Sequence, residues 1–138
     1  MAYYKKVRLF GYWVCEHGKG GFGKIYSGIT GQDAVNFLLC VKSGEIRNAF
    51  QHPALGFIDL VYGEMGKTGF GLAHILEKHP EIISNLHRFV INSKIVSQLP
   101  DRTILLYEPD IKSIISLTWH EVDKKWLVTT YQRIFSAI

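Results

Sequence analysis

Cysteine is scarce in this chain: Cys15 and Cys40 are the two it has. They form neither a CxxC pair nor a spaced framework, which excludes a fold stapled by disulfides and leaves both as free thiols. No run approaches the ~20 apolar residues of a membrane span, and the opening Met-Ala-Tyr-Tyr-Lys-Lys lacks the apolar stretch of a secretory signal. A cytoplasmic protein with no membrane partner is the expectation. Internal repeats, low-complexity segments and linkers are also missing. So are the usual metal-ligand spacings. There is no HxxxH, because His74 and His79 stand five apart, and Glu77 does not directly follow His74 as the metalloprotease motif requires. No metal and no cofactor is expected.

The segment GKGGFGK at 18–24 has the spacing of a phosphate-binding loop, but Ile25 occupies the place where Ser or Thr must meet magnesium. That argues against nucleotide hydrolysis. A glycine turn remains, with Lys19 and Lys24 as candidates for contact with an RNA phosphate.

What the chain does have is enough apolar material for one core: 47% of its 138 residues are hydrophobic and 13% aromatic. The expected organisation is a single domain over 1–138. A formal net charge of +4 and a pI near 9.1 favour a polyanionic partner. Positive residues gather at Lys5, Lys6 and Arg8, at Lys19 and Lys24, and at Lys124, Lys125 and Arg133.

The aromatic and β-branched run at 3–14 predicts a strand entering a glycine-rich loop at 16–23. Residues 27–42 read as a helix, capped by Thr30 or Asp33 and ended by Ser43-Gly44. Residues 45–50 are ambiguous, and 57–62 make a strand closed by Gly63. A short helix follows at 72–79, and Pro80 starts a second that runs to residue 92. Strands are predicted at 94–99, 103–107, 111–119 and 126–134, separated by short polar turns. The predicted class is therefore α+β, an N-terminal strand and helices followed by an antiparallel β-meander of about four strands.

At ~100° per residue, Leu72, Ile75, Leu76 and His79 share one face of the first short helix, while His74 and Lys78 share the other. A packed structural role and a catalytic one both remain open for His79. His74 beside Lys78 has no packing explanation: a histidine exchanges protons near neutral pH, and a lysine offsets charge developing on a phosphate. RNA cleavage needs those tools, because the ribose 2'-hydroxyl is an internal nucleophile. Alternation along the last strand places Leu127, Thr129, Tyr131 and Arg133 on one face. Their hydroxyl, phenol and guanidinium suit phosphate and base contacts.

GE at 44–45, HP at 52–53, GFIDLVYG at 56–63, GLAHILEKH at 71–79 and WLVTTY at 126–131 occur in that order. This combination resembles the phage-associated nucleases of the barnase, EndoU, colicin and RelE-like superfamily over about residues 43–133. Residues 1–42 are expected to form an N-terminal extension packed on that core. The resemblance implies N-terminal helices followed by an antiparallel sheet. It also implies toxin-like, metal-independent endoribonuclease activity that leaves a cyclic phosphate. The family histidine falls on His74 and its strand hydroxyl on Thr129, with Lys78, His79 and Tyr131 as further assignments. RNA is the implied partner, with an immunity or antitoxin protein as a second. A noncatalytic RNA- or protein-binding module of a phage or secretion apparatus is the competing reading, and nucleotide group transfer a third. Thr130 stands where the family usually has a small residue, and Gln132 where it has an acidic one.

Overall fold

The computed structural model describes residues 4–133. One continuous nine-stranded sheet runs through it in the order β1-β2-β3-β4-β5-β9-β8-β7-β6. Neighbours are antiparallel except at β3/β4 and β5/β9, which are parallel. This corrects the expected fold class. The protein is a mostly-β mixed sheet with three short helices, not N-terminal helices followed by a four-stranded antiparallel meander.

The extra strands come from segments that read as one strand and a loop. β1 (Lys5–Leu9) and β2 (Tyr12–Gly20) are joined by Phe10 and Gly11, both at positive φ (51° and 84°), which is the two-residue turn geometry that matches strand twist. The expected strand at 3–14 is thus a hairpin, and residue 3 lies outside the described residues. β2 continues through the glycine cluster and pairs with β3 (Gly23–Ser27), Lys19 standing opposite Lys24. The glycines therefore serve a second hairpin and lead into a strand rather than into the helix of a phosphate-binding loop.

α1 (Gly31–Val41) is the crossover between parallel β3 and β4, burying Ala34, Val35, Phe37 and Leu38. It ends where Lys42 turns left-handed, φ 62°, and donates its N–H to the Leu38 carbonyl at 2.9 Å. β4 (Glu45–His52) and β5 (Gly56–Val61) form a hairpin whose register slips around Asn48, at φ 55°. His52, in the HP motif, is a structural residue. Its Nδ1 accepts from the Ala54 and Leu55 N–H groups, and its Nε2 donates to the Ser93 carbonyl at 2.8 Å.

α2 (Gly71–Lys78), a 3-10 turn (Pro80–Asn85) and α3 (Leu86–Ile91) connect β5 to β6 (Lys94–Leu99). β7 (Arg102–Tyr107), β8 (Ile111–Trp119) and β9 (Val122–Gln132) complete the sheet. Residue 134, the expected end of the last strand, lies outside the described residues. The apolar cluster spans both halves, from Phe37 and Phe50 through Ile58, Leu60, Leu72 and Ile75 to Leu105, Ile115 and Leu127. Among the described residues no helix is long and apolar enough to cross a membrane.

Candidate active site at the α2–β9 seam

GFIDLVYG and GLAHILEKH meet here because Gly71 allows α2 to start directly on β5. Its φ is 76°, and a Cβ there would lie 2.8 Å from the carbonyl oxygens of Val61 and Tyr62. The Ala73 N–H then donates to the Tyr62 carbonyl at 2.7 Å. Leu72 and Ile75 anchor α2 in the core, and the helix packs along β9.

A bulge sets which residues of β9 share a face. Ile115 pairs with Leu127 but Ile114 with Thr129, so Val128 is the extra residue. Trp126, Thr129 and Tyr131 are opposite Ser116, Ile114 and Lys112, alternate residues of β8, and therefore share a face. The simple alternation that grouped Thr129 and Tyr131 with Leu127 is corrected accordingly. Thr130 takes the buried face with Leu127, and its hydroxyl meets that of Ser113 at 2.8 Å.

Around this seam the histidines come together. The rings of His74 and His79 are 6.3 Å apart, centroid to centroid, and His79 lies 6.0 Å from the Tyr131 ring. Thr129, two residues from Tyr131 on the same face, is about 6.6 Å away along the strand. Helical projection placed His79 with Leu72 and Ile75. It has instead left the helix, with φ −140° and ψ 53°, and is turned toward β9. Burial holds the His79 imidazole below its usual range, with Glu81 opposing and His74 and Lys78 adding to the depression.

His74 is not on a solvated face either. Its ring is half-buried, and its Nδ1 is fully buried with no hydrogen-bond partner among the described residues. Thr129 Oγ1 has the same status. A buried polar atom that the protein leaves uncompleted needs a partner from water or a ligand, since each unmade bond costs about 1–3 kcal/mol.

Lys78, predicted beside His74, is exposed, with its nearest carboxylate on Glu77 at 3.9 Å. Glu77 also accepts from the Gly66 N–H at 2.8 Å, tethering the loop ahead of α2. Lys19 and Lys24 lie in the β2–β3 hairpin rather than at the seam, and Lys24 pairs with Glu16 at 3.4 Å. Arg133 follows β9, its N–H bonded to the Asp110 carbonyl. No group of three or more His, Cys, Asp or Glu side chains is placed to hold a metal ion among the described residues.

A second polar cluster was not anticipated. Lys124 Nζ, 14% exposed, bridges Glu45 Oε1 at 2.7 Å and Asp59 Oδ2, with Glu45 2% exposed. The signal lay in Asp59, a carboxylate inside the apolar run Phe57-Ile58-Asp59-Leu60-Val61, which demands a cation once buried. Its partner is 65 residues away and no local pattern identifies it.

The family described as "phage-Barnase-EndoU-ColicinE5/D-RelE like nuclease1" matches residues 49–136. The chain belongs to this family. The matched span includes α2, the histidine pair and the whole of β9, so the seam lies inside the nuclease-like part, whereas β1–β3 and α1 precede it. No curated protein and no solved structure matches the chain.

Proposed function

We propose that this member of the nuclease family is a toxin-like endoribonuclease that cleaves RNA without a metal ion. What carries the reading is the pair of uncompleted buried atoms, His74 Nδ1 and Thr129 Oγ1, in a seam that also gathers His79 and Tyr131. Neutral His79 removes the proton from the ribose 2'-hydroxyl, and the 2'-oxygen forms its bond to phosphorus. The bond from phosphorus to the 5'-oxygen breaks, and His74 delivers a proton to that oxygen. The products are a 2',3'-cyclic phosphate and a 5'-hydroxyl, with every proton accounted for. Thr129 and Tyr131 donate to the non-bridging oxygens, and Lys78 supplies positive charge at the mouth of the seam. The nucleophile is internal to the substrate, so the reaction has no need of an activated water.

RNA is thus the partner, in the cytoplasm of the producing or target cell, and an immunity or antitoxin protein that covers the seam is the second. The test is cleavage of an unstructured RNA in excess chelator by the full chain and by His74→Ala. Activity in the first and none in the second is expected. Full activity of His74→Ala would overturn the site. RNA binding without cleavage by the unmodified chain would favour a noncatalytic binding module.

A further inference from the structure

We propose that the cleft beside the Glu45–Lys124–Asp59 cluster is a nucleobase subsite that takes bases bearing an exocyclic amino group and disfavours uracil. The inference rests on the endoribonuclease reading for its biological meaning, but its chemistry stands on the cleft itself. The cavity has a volume of about 480 Å³ and is open to solvent. One side is aromatic: Phe22, at the tip of the β2–β3 hairpin, lies against Trp119 with ring centroids 4.2 Å apart. Gly21 leaves room for that indole, since a Cβ there would come 2.6 Å from Trp119 Nε1. Val122, 65% exposed, lies at the rim. Flat rings and an apolar rim suit a heteroaromatic ring better than a sugar or a phosphate.

The floor decides which ring. Glu45, Asp59 and Asp123 line the cleft together with two cations: Lys124, which bridges Glu45 and Asp59, and Arg47, whose Nε lies 3.6 Å from Glu45 Oε1. Three carboxylates against two cations leave the lining with a net negative charge, so a phosphate placed there is disfavoured by repulsion. Hydrogen-bond donors are favoured. Adenine, cytosine and guanine each present an amino group to carboxylate acceptors, whereas the pairing edge of uracil offers one N–H between two carbonyl oxygens.

Position links the cleft to the seam. Asp59 pairs in parallel register with Trp126, so it projects to the face that carries Thr129 and Tyr131. Lys124 stands five residues before Thr129, at most about 16 Å at ~3.3 Å per residue. Phe70, the cap of the helix that carries His74, lies 5.6 Å from Trp126 and 6.1 Å from Trp119, tying the two places together. A single strand running along β9 would place one base in the cleft and, a few nucleotides on, its scissile phosphate at the histidines.

The experiment is titration calorimetry of adenosine, cytidine, guanosine and uridine, with ribose 5-phosphate as the fifth probe, against the full chain carrying His74→Ala. Nucleosides have no scissile bond, so the measurement is independent of cleavage. Uridine is expected to bind at least tenfold more weakly than the amino-bearing nucleosides, and ribose 5-phosphate more weakly still. Trp119→Ala should cost about tenfold and Trp119→Phe should recover most of it. Equal affinity for all four nucleosides, no binding by any, or preference for ribose 5-phosphate would each overturn the subsite. The two proposals fail separately: a chain that binds nucleosides selectively but never cuts RNA loses the nuclease reading alone. A chain that cuts RNA in chelator yet binds no nucleoside loses the subsite alone.

Discussion

Thr129→Val should make the protein more stable and less active at once. The substitution keeps the branched shape and exchanges one hydroxyl for a methyl. Because Oγ1 is buried without a partner among the described residues, the folded protein carries the cost of its desolvation. An unmade buried hydrogen bond costs about 1–3 kcal/mol, and valine also suits a strand. A gain of about 1 kcal/mol is therefore expected, which for a chain of this size raises the Tm by roughly 3–4 °C. In the proposed reaction the same hydroxyl donates to a phosphoryl oxygen in the transition state, and loss of one such donor slows a reaction on the order of a hundredfold. Thermal unfolding and RNA cleavage on the same preparation make the comparison. A lower Tm together with unchanged cleavage would show that the hydroxyl is structural, and the assignment of Thr129 to the phosphate would be wrong.

Other parts of the molecule carry further expectations. Since burial holds His79 below its ordinary pKa of about 6.5, the unfolded chain takes up that proton first as pH falls. Stability is lost on acidification through 6.5, and His79→Gln should flatten that loss in pH-dependent denaturant titrations while slowing cleavage. The same depression lets a neutral base persist into mildly acidic solution, so the acid limb of the cleavage profile should lie below pH 6.5 and disappear in His79→Gln. Lys124→Met takes from Asp59 its cation and leaves Glu45 with Arg47 alone, and is expected to cost about 3–5 kcal/mol in urea unfolding. Gly71→Ala forces a Cβ onto the Val61 and Tyr62 carbonyls at positive φ. It should destabilise by about 1–3 kcal/mol and reduce cleavage through displacement of α2.

The sequence was most legible where a strand or helix kept its period. Residues 57–62, α1, α2 and the strands β6–β8 fall close to the expected positions because alternation or helical spacing is unbroken between clear turn residues. Legibility failed where the backbone departs from type. Phe10 at positive φ hides a turn inside an aromatic run, and Asn48 breaks the alternation of β4 into a pattern that reads as neither helix nor strand. The extended glycines of β2 read as a loop because glycine lacks the side chain that marks a face. Each error removed a strand, and together they turned a nine-stranded mixed sheet into an apparent meander.

Of the residues singled out in the sequence, the fold brings the rings of His74, His79 and Tyr131 near one another, in an arrangement the sequence did not show. His74, His79, Thr129 and Tyr131 stood out by residue type and by resemblance. Helical projection, however, cannot foresee that His79 leaves α2 before Pro80, nor strand alternation that Val128 is bulged. Lys78 was paired with His74 by spacing alone, whereas His74 is partly buried with its Nδ1 enclosed and Lys78 stands in solvent.

The central claim is that a ribose hydroxyl of the substrate is the nucleophile and the histidine seam moves its proton. A short RNA with one mapped cleavage site, carrying a single 2'-deoxynucleotide immediately 5' of the scissile phosphate, tests it directly. In excess chelator, cleavage at that position should vanish while neighbouring positions stay competent, and the unsubstituted RNA should yield a 2',3'-cyclic phosphate end. Continued cutting at the deoxy position would mean that water attacks the phosphate, and the ribose hydroxyl would be ruled out as the nucleophile.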